Sequence, residues 1–236
     1  MAIDDLPMPV VTFLNVIGVE WPYINEDEVL RFASLVREFG TAVKTTHQDA
    51  TSAIENIAQA YQGASSEVMR SKWAAMSGTH VSEILEVCEL LAAALEVGAA
   101  YIVQAKLEAL AELVELAIEY AAAIAESVAT LGIGSAAILA VEELGSALMD
   151  SLVQDLEQYV IGQLIEAGIK PLFARVETAI AGLDWSAAPD TSPGTSTGFS
   201  LDHEVLLQHT GLLRGHAATL RGHGQTLRSG IAGLNF

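Results

Sequence analysis

Four glutamates, Glu108, Glu112, Glu115 and Glu119, recur at steps of three and four residues and so share one face of any helix that carries them. Carboxylates at that spacing are the raw material of a carboxylate-bridged metal cluster. Such a site also draws a Glu-x-x-His pair from a facing helix, and the sequence contains none. They read as a solvated acidic face. His209, His216 and His223 repeat every seven residues. Seven residues of helix span about 10 Å, too far for these side chains to share one ion. They read as polar flanks of a packing helix, with a pH-responsive helix as the alternative. His203-Glu204 followed by His209 misses the zinc-protease spacing, in which the second histidine comes four residues after the first.

Nucleophiles fare no better. Cys88 is the single cysteine and sits in EILEVCELL, where a small apolar residue suits a helix face and no basic neighbour would stabilise a thiolate. An intrachain disulfide is ruled out. Gly-x-Ser-x-Gly and phosphate-loop patterns do not occur, and Gly132-Ile133-Gly134 is too short to be a nucleotide fingerprint. His47 reads as a surface or capping histidine. The residues therefore point to a protein that is not an enzyme, with no cofactor and no metal.

Composition fits a helix-packing protein. Of 236 residues, 51% are hydrophobic, Ala and Leu dominate, and only six prolines interrupt the chain. The net charge is −19, and residues 189–236 carry three basic and three acidic residues, so the whole excess lies in residues 1–188. That charge repels nucleic acid and anionic lipid and suits a basic partner. Before Arg31 there is no basic residue and no clean apolar core of a leader, which argues against a cleavable secretory signal.

Residues 1–24 form an arm in which VVTFLNVIG suits either a short helix or an extended segment. At Asn25 a helix should begin: Asn25 can cap, Glu28 completes a capping box, and Glu26 and Asp27 suit the positive end of the helix dipole. From Val29 through Phe32, Val36, Phe39, Val43, Thr46, Ala50, Ala53 and Ile57 to Ala60, apolar residues alternate at three and four, a coiled-coil-like seam. Tyr61-Gln62-Gly63 then turns the chain, with Gly63 expected at positive φ and Ser65 or Ser66 as the next cap. Met69, Trp73, Met76, His80, Ile84, Val87, Leu91 and Ala94 return, interrupted at Ser77-Gly78-Thr79 by a kink or local cap.

A third helical stretch fills residues 90–131. The fifteen uncharged residues 127–141 are shorter than the roughly 20 a membrane span needs. They read as a helix end, a tight turn at Gly132 and Gly134, and the start of a buried helix. Leu139, Leu144, Leu148, Leu152, Leu156, Val160 and Leu164 continue as an apolar stripe, and a short helix over residues 171–183 closes this region. Residues 184–199, rich in Ser, Thr, Pro and Gly, read as a flexible linker. Beyond it LRGHAAT, LRGHGQT and LRSGIAG repeat with Leu206, Leu213, Leu220, Leu227 and Leu234 in register, a helix with one leucine edge and a candidate partner-binding surface. It reads as the first helix of a second, truncated hairpin, and the sequence as the front of a longer protein. The fold class is all-α: a long helical hairpin with an aromatic-x-Gly turn, extended into a bundle of long antiparallel helices.

The Tyr61-Gln62-Gly63 turn and Trp73 resemble the WXG-hundred (Esx, ESAT-six-like) proteins of type VII secretion, with Tyr61 where that motif has tryptophan. A larger set extends the likeness: Trp21-Pro22, Asn25-Glu26-Asp27-Glu28, His47-Gln48-Asp49-Ala50, Met76-Ser77-Gly78-x-His80 and Leu156-Glu157-Gln158-Tyr159. Over about residues 21–183 it resembles the CpnT-like N-terminal domain of actinobacterial polymorphic toxins. The resemblance implies a non-catalytic WXG-like module over residues 25–183, secreted or displayed at the cell surface. Its implied partners are a type VII component or Esx-like helical protein and a C-terminal effector in cis. The family's Tyr-x-x-x-Asp/Glu export signal is matched only by Tyr23 and Asp27, which precede the hairpin. A homo-oligomer or structural scaffold, and a membrane-active pore-forming domain using residues 127–149, are the alternatives.

Overall fold

The computed structural model describes residues 6, 8–22, 24–129, 135–160, 162, 170, 171, 174, 175, 177 and 200–235. Within them lie six α-helices: α1 (Met8–Ile17), α2 (Glu26–Ala60), α3 (Ala64–Met76), α4 (Ser82–Ala129), α5 (Ser135–Gln158) and α6 (His203–Ala232). Two strands of two residues each, β1 (Tyr61–Gln62) and β2 (Ser200–Leu201), pair antiparallel and leave the fold all-α. Contacts gather the chain into two units. One holds Met1–Arg31, Ala94–Gly168 and Asn235–Phe236, and the other holds Phe32–Ala93 and Ile169–Leu234.

In the first unit the arm holds the helix α1. α1 buries Val10, Phe13 and Leu14, and Gly18 at φ 70 ends it, letting Val19 N–H donate to the Leu14 carbonyl at 3.1 Å. α1 packs tightly against Gly145 of α5, where a Cβ would meet Ile17 Cδ1 at 2.7 Å. Phe13 tilts against Tyr120 with ring centroids 5.5 Å apart. The inward row of α4 runs Leu95, Ala99, Ile102, Lys106, Ala109 and Leu113, all buried.

Lys106 is the exception in chemistry. Only 1% exposed, its Nζ donates to the Ile24 carbonyl at 2.6 Å and to Glu26 Oε2 at 2.8 Å. Asn25 caps α2 as expected, its Oδ1 accepting from Asp27 N–H at 3.0 Å. Glu28 does not return a capping-box bond; it faces Arg31 at 3.7 Å and the Asn235 N–H at 3.4 Å. The α5 stripe also differs from expectation. Leu139 and Leu144 are exposed, and the inward row is Val141, Gly145, Met149, Leu152 and Leu156. At 100° per residue Leu139 and Leu144 stand about 100° and about 120° round the helix from Leu156, whereas Val141, Gly145, Met149 and Leu152 lie within about 60° of it. The start of α5 is accordingly exposed rather than buried. Gly132, Gly134, Leu164 and the linker 184–199 lie outside the described residues, as does most of 171–183.

In the second unit every seam position of α2 from Phe32 to Ala60 is buried or half-buried. Cross-contacts step outward symmetrically from Gln62: Thr51 with Trp73, His47 with Ser77, Gly40 with Cys88 and Arg37 with Glu89. This is a helical hairpin. At Gly40 the backbones come so close that a Cβ would lie 3.2 Å from Cys88 Cβ. Between α3 and α4 the chain does not end a helix but widens into a π turn, Ser77–Val81. α6, capped by Asp202 Oδ1 accepting from Glu204 and Val205 N–H at 3.1 Å each, runs antiparallel along α2. Asp202 N–H donates to the Ala60 carbonyl, His223 bonds Thr46 Oγ1 at 2.9 Å, and Gly230 faces Leu35.

Replacing Lys106 by Met leaves Glu26 buried without its cation and should cost roughly 3–5 kcal/mol in urea unfolding, most of it regained when Glu26→Leu is added. Equal losses in the single and double variants would show that the pair is not the source. Gly215, Gly222 and Gly224 have open space where a Cβ would stand. Gly→Ala there should stabilise α6 by about 1 kcal/mol per site, read as a rise in thermal midpoint.

Candidate interaction site at the helical hairpin

Chemistry in this chain concentrates where α2 reverses into α3. Trp73 stacks on His47 with ring centroids 5.1 Å apart and 16° between planes. The indole N–H donates to Thr51 Oγ1 at 3.0 Å, and that hydroxyl donates to the His47 carbonyl at 2.9 Å. His47 Nε2 lies 2.6 Å from Ser77 Oγ, at the first residue of the π turn. Burial lowers the His47 pKa below its ordinary 6.5, so the ring is neutral at pH 7. The result is a clasp of alternating aromatic and polar links across the hairpin. Beside it opens a groove of about 570 Å³ lined by Ile54, Glu55, Glu67, Arg70 and Trp73.

The turn itself departs from expectation. Gly63 has φ 168 and ψ 170, extended backbone open to any residue rather than the left-handed conformation, and it is itself the N-cap of α3. Its carbonyl accepts from Ser66 and Glu67 N–H and from Ser66 Oγ, so neither Ser65 nor Ser66 caps the helix. Tyr61 is half-buried in β1, paired with Leu201, and its ring lies 3.8 Å from where a Gly63 Cβ would stand. The aromatic that spans the helices is Trp73. Its partner His47 was legible only as a histidine beside the seam, because the two are 26 positions apart and nothing local joins them.

The other candidates are dispersed. Leu206, Leu213 and Leu227 are half-buried along α6 and Leu220 is 37% exposed. Asp27 is exposed in the first turn of α2, and Tyr23 lies outside the described residues. Cys88 is buried, and burial with nearby Glu89 raises its pKa, which disfavours the nucleophilic thiolate. Among the described residues no three His, Cys, Asp or Glu side chains converge so as to hold a metal.

A family signature described as a WXG100-like domain matches residues 5–145, more than half the chain. The chain belongs to the WXG100-like family. No curated protein and no solved structure matches it significantly. Membership places it among helical proteins related to type VII secretion, whose domains are typically non-catalytic. The matched span takes in α1, α2, the hairpin turn, α3, all of α4 and the first part of α5, so the match extends well beyond the hairpin.

Trp73→Ala should cost about 2–3 kcal/mol by removing both stacking and hydrogen bond, and Tyr61→Ala about 1 kcal/mol. The reverse order in thermal unfolding would move the anchor of the hairpin to Tyr61. Because the folded pKa of His47 is lowered, the unfolded chain takes up a proton first as pH falls. The stability contributed by the neutral ring is present above pH 6.5 and lost as pH drops below it toward the folded value. His47→Gln should therefore flatten this part of the stability profile between pH 7 and 5, and an unchanged profile would contradict the assignment.

Proposed function

We propose that this chain is the non-catalytic export and delivery module at the front of a larger secreted polymorphic toxin. A type VII secretion component or an Esx-like helical partner would recognise it by helix packing. The observation that carries the reading is the hairpin: two helices clasped antiparallel about an aromatic-x-Gly turn, inside a span matched by the WXG100-like family. The absence of an activated nucleophile or metal cluster among the described residues supports a module that is recognised rather than one that reacts. On this reading residues 25–183 form the delivery domain, residues 184–199 a tether, and residues 200–236 lead toward an effector in cis. The product is secreted or held at the cell surface, and Tyr23 with Asp27 is the candidate export signal.

Among the described residues no helix is long and apolar enough to cross a membrane, so no observation here favours the pore-forming alternative. The test is export of the full reading frame from a host with a functional type VII apparatus. Deleting residues 25–183 should remove the protein from the culture filtrate while leaving it in the cell lysate, and undiminished export would overturn the proposal.

A further inference from the structure

α4 carries a second seam. Away from its buried row, about 150° round the axis, positions 97, 100, 104, 107, 111, 114, 118, 121, 125 and 128 alternate at three and four, and every one is exposed. All are Val, Leu, Ile or Ala except Gln104. Val97 is 64% exposed, Ile118 65% and Val128 75%. Isolated exposed leucines are ordinary, whereas an apolar strip about 45 Å long in coiled-coil register is the surface of a helix built to be covered.

Charge narrows what covers it. Along one edge of the strip run Glu108, Glu112, Glu115 and Glu119, all exposed. Residues 94–158 hold eleven carboxylates and a single cation, Lys106, which is buried against Glu26. A groove of about 230 Å³ between α4 and α5 collects Glu108, Glu112 and Asp155 around one opening. Two copies of the strip laid together would set acid against acid, and anionic lipid or nucleic acid would meet the same repulsion. A helix with an apolar edge flanked by lysine or arginine meets both the strip and its acidic margin.

We propose that the outer strip of α4, residues 97–128, is a docking seam for an amphipathic helix of another protein whose apolar edge is bordered by basic side chains. This surface lies beyond the hairpin and stands whether or not the export reading holds.

The test uses the 236-residue chain and two synthetic peptides about four heptads long, with Leu and Ile at a and d and either Lys/Arg or Glu at e and g. Titration followed by fluorescence anisotropy should show the basic peptide binding at least about tenfold tighter than the acidic one, and more weakly as salt is added. The paired change Val114→Ser and Ile118→Ser alters only exposed positions, so circular dichroism should stay unchanged while affinity falls about tenfold or more. Glu108→Gln, Glu112→Gln and Glu115→Gln together should abolish the preference for the basic peptide. Equal binding of the two peptides, no binding, or binding indifferent to the serine changes overturns the proposal. So does a dimer, or attachment to zwitterionic vesicles, that disappears with the same serine changes, since either assigns the strip to another occupant.

Discussion

A buried ion pair ties the middle of α4 to the first residue of α2. Lys106 Nζ lies between the Ile24 carbonyl and Glu26 Oε2, with both charged groups hidden from water. Burying an ion pair carries a large desolvation cost, and removing one partner would leave an uncompensated charge in the interior. Lys106 stands on the inward one of two α4 faces that share the same three-and-four spacing.

This explains which parts of the fold could be read in advance. The α2 seam, the Asn25 cap, the reversal near Gln62 and the continuous α6 are local patterns, and each is found in the structure. Lys106 was invisible because a lysine among glutamates on an Ala/Leu-rich helix looks like a surface residue, and its burial depends on a carboxylate eighty positions away. The outward seam was hidden for the complementary reason: periodicity reports that a face is apolar and does not report that nothing covers it. Leu139 and Leu144 misled because leucines at steps of four and five look like one stripe on paper, yet these two stand about 100° and about 120° round the helix from Leu156.

The candidate site shows the same division. Tyr61 and Gly63 were found by their motif, yet the load across the hairpin falls on Trp73, His47, Thr51 and Ser77, which meet only after the chain has folded back. The glycine at the turn is not demanded by its own backbone angles, and the tyrosine ring covers it from outside. The motif marks where the chain reverses, while the polar clasp a few turns away holds the reversal shut.

The π turn at Ser77–Val81 has a consequence for the length of the chain. Around it the inward residues step by four twice in succession, Met76 to His80 to Ile84, where a straight α-helix would let the face drift. The wider turn absorbs that surplus residue and keeps α3 and α4 in phase. This makes the π turn a place where the continuous helical run from Ala64 to Ala129 could lose one residue and keep every later side chain on its own side. A one-residue deletion elsewhere in that run would turn everything after it by about 100°. In α4 such a turn would carry Lys106 away from its carboxylate, so the bulge is the run's one natural expansion joint.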